Sequence, residues 1–133
     1  MHFEEDLETS KKKIVHESAK FSRIVEILEN NREFTTPTYF PSISSYGVKF
    51  SMRDSLYLLN FHKYPRLLLS AYDLYNSEPT EKKSLMRIIK EYQGRGFLFV
   101  DSGIYESFWK KDSRWDINCY KNLMEQIQPD MYT

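Results

Sequence analysis

Phe97-Leu98-Phe99-Val100-Asp101-Ser102-Gly103-Ile104-Tyr105-Glu106 is the stretch on which the reading of this chain turns. Its first four residues form an unbroken apolar run, as expected of a short strand buried on both faces. The run ends in a carboxylate followed by Ser-Gly. A carboxylate at the C-terminal end of a parallel strand stands where α/β folds gather their ligands. Gly103 lets the backbone turn sharply and approach a ligand closely. Tyr105 then offers a flat face and Glu106 a further acceptor. Periodicity alone also admits a plainer reading, in which Asp101 caps the following turn and Tyr105 belongs to the core.

Working outward, Arg66-Leu67-Leu68-Leu69-Ser70-Ala71-Tyr72 is a second apolar run of the same kind. Between the two runs, Thr80 caps a helix whose Leu85, Met86, Ile88, Ile89 and Tyr92 form one broad stripe, broken at Gly94-Arg95-Gly96. Before them, Ser51 with Asp54 marks a helix start, and Leu56, Leu59 and Phe61 carry that helix toward Pro65. Thr36-Pro37-Thr38-Tyr39-Phe40-Pro41 is extended, because a segment between two prolines is no helix interior; a polar loop follows over 42–47. After Glu106, a loop rich in Trp, Lys and Asp runs to Trp115. Asp116 starts a helix bearing Ile117, Tyr120, Leu123, Met124 and Ile127, and Gln128-Pro129 ends it before a further strand beginning at Met131. The segment from Phe3 to Asn30 reads as one helix, uninterrupted by Pro or Gly, with Ile14, Phe21, Ile24, Val25 and Leu28 at helical spacing; Lys11-Lys12-Lys13 reads as its solvated face. Alternating strands and helices imply an α/β fold with a parallel sheet. The expected division is a helical segment over 1–33 and an α/β domain over 34–133.

Composition narrows the function classes. The 133 residues carry 19 basic and 19 acidic side chains, so binding to a long nucleic acid cannot be argued from net charge. Cys119 is the single cysteine, which excludes an intramolecular disulfide and a cysteine-built zinc site and suits a reducing, cytoplasmic setting. No signal peptide and no membrane-length apolar run is visible. His2, His16 and His62 lack metal-ligand spacing. Trp109 and Trp115, interleaved with Lys110, Lys111 and Arg114, offer a stacking and phosphate patch, against the plainer reading of an exposed mixed loop.

The motif at 101–106 resembles the Asp-Ser-Gly-Gly-Tyr/Phe-Gln motif that ends the third barrel strand of tRNA-guanine transglycosylases. Thr36–Pro41 is similar to that family's opening Thr-Pro-x-Phe-Met-Pro strand. Leu67–Leu74 is similar to its second strand, and Pro129-Asp130-Met131-Tyr132 falls where its fourth begins. The resemblance covers roughly Phe34 to Thr133, with the third-strand motif its specific part. It implies a partial (β/α) TIM-type barrel, incomplete because full barrels need ~250 residues. It also implies a protein of the class that exchanges guanine for a 7-deazaguanine base in tRNA or DNA through a covalent ribosyl intermediate.

By the same resemblance Asp101 would contact the base and take part in proton transfer. Tyr105 would stack on it, and Ser70, Ser102, Gly103 and Glu106 would line the pocket. The family's nucleophilic Asp and its zinc site lie on later segments, so no cofactor and no catalysis by this chain alone is expected. The alternative expectation is a non-catalytic module that binds a purine or nucleotide, or that completes its sheet with a partner chain or a second copy. Four residues depart from the pattern, the first being Ser70, which stands where the family often has Asn. Ile104 fills the motif's second Gly, Glu106 replaces Gln and adds a negative charge, and Asp73 replaces a His.

Overall fold

The computed structural model describes residues 11–19, 22–29, 32–44 and 49–133. The chain divides into two compact units, Met1–Tyr39 and Phe40–Thr133, a boundary six residues beyond the one expected.

The first unit corrects the expected N-terminal helix. Strands β1 (Lys11–Ala19), β2 (Ser22–Glu29) and β3 (Arg32–Thr36) form an antiparallel sheet in the order β1-β2-β3. The start of the expected helix, the Lys20–Phe21 link and Asn30-Asn31 lie outside the described residues. Residues spaced by four share a face in a strand as well as in a helix, so Ile24 and Leu28 satisfy either pattern. What decides is composition and pairing. Ile14, Val15, Ile24, Val25 and Ile27 are β-branched, and the register sets Ile14 opposite Val25 and Ile27 opposite Phe34.

The second unit is mixed α/β, as expected. Strands β4 (Ser42–Ile43), β5 (Arg66–Ser70), β6 (Phe97–Asp101) and β7 (Met131–Tyr132) form a parallel sheet in sequential order. The first of these strands is not the expected Thr36–Pro41 segment. Pairing begins at its end, where the Leu68 N–H donates to the Pro41 carbonyl at 2.9 Å, and continues into residues read as loop. Helix α1 (Met52–Phe61) starts where expected, with the Asp54 N–H donating to Ser51 Oγ at 3.1 Å. The second apolar run is strand only to Ser70; Ala71–Tyr75 turns into the short helix α2. Helix α3 (Pro79–Gln93) begins one residue before Thr80, with Pro79 in the first turn, where a missing N–H costs nothing. The Trp-rich loop contains α4 (Ile104–Trp109), and α5 (Ile117–Ile127) is capped by Asp116 as expected.

The core lies on one face of this sheet. Ile43, Leu67, Leu69, Leu98 and Val100 pack in one cluster with Leu56 of α1, Leu74 of α2, Leu85, Ile89 and Tyr92 of α3, and Leu123 and Ile127 of α5. By strand alternation, Arg66, Leu68, Phe97, Phe99 and Asp101 face the other way. There Leu68 and Phe99 are half-buried, and the Phe40 ring meets Phe97 and Phe99 edge-on at 6.0 and 5.9 Å. Asp130 anchors β7: its Oδ2 accepts the Leu98 N–H at 2.8 Å while its own N–H donates to the Leu98 carbonyl. Among the described residues no helix is long and apolar enough to cross a membrane.

Candidate functional site at the carboxyl edge of the sheet

The parallel register assembles a row of oxygen-bearing side chains from four strands. Ser70 pairs with Asp101. The Ile43–Leu69 pairing is the last on β4, and Ser44 follows it directly as Ser70 follows Leu69. The Val100–Tyr132 pairing, carried one further, sets Thr133 beside Asp101, and Thr133 Oγ1 donates to Asp101 Oδ1 at 3.2 Å. Neighbouring parallel strands present register partners on the same face, so Ser70 and Asp101 share the face turned away from the helices, and Thr133 joins them through its hydrogen bond.

The loop after β6 is fixed against β5. Gly103 has a φ of +71°, and a Cβ there would lie 2.3 Å from Tyr72 Cβ and 3.0 Å from Ser70 Oγ. The Ser70 side chain meanwhile caps α2, accepting the Asp73 N–H at 3.4 Å. Ser102 is held through its backbone, its carbonyl accepting from Trp115 Nε1 at 3.0 Å. The turn delivers Glu106 inward. Its Oε1 accepts from Ser44 Oγ at 3.0 Å, tying α4 to the end of β4 across 62 residues. Glu106 is only 7% exposed, yet among the described residues its buried Oε2 has no hydrogen-bond partner.

The six residues singled out from sequence therefore fall into two groups. Ser70, Asp101, Ser102, Gly103 and Glu106 come together at the edge. Tyr105 is on the outer side of α4, 58% exposed, with its ring edge-on to Trp109 at 5.9 Å. Ile104 is also exposed, at 67%, so its branched side chain is turned to solvent.

Beside this edge lies a network that draws Lys110 and Arg114 of the Trp-rich patch onto Asp73, Tyr72 and Asp112. Asp73 is buried and its Oδ1 lies 3.6 Å from Lys110 Nζ, which also sits 5.5 Å from the centre of the Tyr72 ring. The Tyr72 hydroxyl donates to Asp112 Oδ2 at 3.0 Å, and Arg114 donates to both Asp112 oxygens at 3.0 and 3.2 Å. Tyr72, Lys110, Lys111, Asp112, Ser113 and Arg114 line an open concavity of about 360 Å³. Burial, then the bond to Asp112, pushes the Tyr72 phenol up. Trp115 is part of the packing here, ringed by Tyr72, Tyr75 and Tyr120, whereas Trp109 is 54% exposed. Among the described residues no group of three or more His, Cys, Asp or Glu side chains stands together as a metal site.

The Arg114 guanidinium, by its hydrogen bonds, holds the Asp112 carboxyl down to about 2, well below its ordinary 3.8. The folded value is depressed, so whatever the pair contributes is present above 3.8 and is lost as pH falls through about 2. Carboxyl-carbon NMR should therefore show Asp112 titrating near 2 in the native chain and moving toward 3.8 in Arg114→Ala. A native midpoint already at the ordinary value would show that the guanidinium does not govern this carboxylate.

The residues missed from sequence are Ser44, Tyr72, Asp112 and Thr133. Only the register of a two-residue strand reveals Ser44. The strand signal at Met131 was the one available pointer to Thr133. Compared with protein-family models and with curated proteins, the chain's sequence matches none.

Proposed function

We propose that the carboxyl edge of this sheet binds a flat, nitrogen-rich base of the guanine or 7-deazaguanine class, as the base-holding part of a transglycosylase-like (β/α) barrel. The observation that carries this reading is the buried, unpartnered Oε2 of Glu106 beside the Ser44–Ser70–Asp101–Thr133 row. A buried carboxylate oxygen without a donor is costly, and a guanine-type edge presents N–H groups that would supply one. Asp101 is a second acceptor on the same edge, with the close approach of Gly103 to Ser70 shaping the floor between them.

The architecture supports the barrel half of the reading. Sequential parallel strands with their helices packed into one core on a single face are what a closing (β/α) barrel requires, whereas a doubly wound sheet puts helices on both faces. Leu68, Phe99 and Met131 on the opposite face are then interior-layer residues. Tyr105 would have to approach a bound base from the outer side of α4, so in this reading base contact rests on the carboxylates first and on stacking second. The base exchange implied by the resemblance needs a nucleophile that the family carries on a later strand. The role proposed for this chain's residues is to bind and orient the base and, at Asp101, to take or return a proton.

Titration calorimetry with guanine and 7-deazaguanine tests the reading. Asp101→Asn should weaken binding by about 2 kcal/mol, roughly thirtyfold, because it removes a charged acceptor while keeping shape. No heat from the native chain at millimolar base would end the base-binding proposal.

A further inference from the structure

We infer a second ligand site, for a nucleoside phosphate, in the groove between α1 and α3. It stands apart from the base site. Helix α1 ends at Phe61 just before β5, and α3 ends at Gln93 just before β6, so this groove lies at the amino ends of the strands. Asp101 and Glu106 stand at the carboxyl ends. The groove has a volume of about 650 Å³, and its lining includes Tyr57, Phe61, Lys63, Arg87, Glu91 and Arg95. That volume is within the ~300–1,000 Å³ of small-molecule sites.

Two features name the ligand class. The first is a flat apolar wall. Tyr57 and Phe61, one helical turn apart, have ring planes within 21° of each other at 6.2 Å, and are 56% and 67% exposed. Rings held parallel and open to solvent offer a stacking face to another planar ring. The second is unspent positive charge. Lys63, Arg87 and Arg95 face the single carboxylate of Glu91, and none of the three cations makes an ion pair among the described residues. Arg87 and Glu91 are spaced for a helical pair, but in the less favourable order, with the cation nearer the N-terminus. Arg95 is held across the end of α1, donating to the Asn60 carbonyl and side-chain oxygen at 2.5 and 2.6 Å and lying 5.1 Å from the centre of the Tyr92 ring, so Lys63 and Arg87 are the cations left to a ligand. A planar ring bearing a phosphate matches both features; a purely apolar ligand would leave the cations unused, and inorganic phosphate would leave the rings unused.

The test is amide NMR of the whole chain titrated separately with adenosine 5′-monophosphate, a short single strand of deoxythymidylates, adenosine and inorganic phosphate. The mononucleotide or the strand should move the signals of α1 and α3 and bind at least about tenfold more tightly than adenosine or phosphate. Tighter binding by the strand assigns the site to a nucleic-acid strand; equal binding assigns it to free nucleotide. Phe61→Ala and Arg87→Gln, both exposed and so expected to leave the melting temperature unchanged, should each weaken it about tenfold. The inference is overturned if neither nucleotide probe shifts these helices at millimolar concentration. It is equally overturned if phosphate alone binds as well as the nucleotide, or if both variants bind like the native chain.

Discussion

Gly103→Ala is expected to cost about 3 kcal/mol or more of unfolding free energy, for the addition of one methyl group. Two penalties combine. At φ +71° any L-residue other than Gly lies in the left-handed region, at about 1–2 kcal/mol. The new Cβ would also stand 2.3 Å from Tyr72 Cβ and 2.8 Å from Tyr72 N. Tyr72 has nowhere to go: it is 3% exposed, packed against Trp115 and bonded to Asp112. Relieving that overlap means parting the start of α2 from the loop after β6, at a further 1–3 kcal/mol or so. Gly94→Ala is the control. Gly94 has a right-handed backbone, and its Cβ would meet only the Glu91 carbonyl at 3.3 Å; a change within about 0.5 kcal/mol is expected. Urea unfolding of both variants checks the contrast. Equal stabilities would mean that the loop after β6 does not lie against Tyr72 of α2 as described.

That position also shows how much could be read from the letters. Gly103 was legible as the residue that allows close approach because a glycine after a strand-ending carboxylate has few other reasons to be there. The core of β6, and helices α1 and α5, were legible for similar local reasons. The strand is a pure apolar run, and Ser51 and Asp116 cap the helices by bonds to N–H groups two or three residues on. The N-terminal sheet was not legible. Lys20 and Phe21, which separate β1 from β2, include none of the Gly, Asn, Asp or Pro that mark a hairpin, and the spacing of Ile24 and Leu28 fits both periods. Strand β4 was hidden because two residues are too few to alternate; it exists through its pairing with β5. The partners of Glu106 and Tyr72 lie 62 and 40 residues away, a separation at which only tertiary structure decides who meets whom. Asp101 and Glu106 could be nominated from sequence, but not the serine that holds one and the threonine that holds the other.

Glu106→Gln is expected to move stability and affinity in opposite directions. In the native chain Oε1 takes the Ser44 hydroxyl at 3.0 Å while Oε2 is buried without a donor among the described residues. Burying part of a charge unpaired costs more than burying a neutral amide. Glutamine keeps an oxygen for Ser44 and has nearly the same shape, so the variant should gain about 1 kcal/mol of unfolding free energy. Binding should suffer. The amide nitrogen would present N–H groups where the ligand's own N–H groups arrive, turning an acceptor into a clash of donors. About 2 kcal/mol, roughly a thirtyfold loss of affinity for guanine or 7-deazaguanine, is the expected size. A residue retained at the expense of stability is the usual mark of a binding role. Urea unfolding and calorimetry on the same preparations read both quantities. A variant that is less stable yet binds as before would make Glu106 a packing residue. The orphaned oxygen would then be a feature of the fold and not of a ligand site.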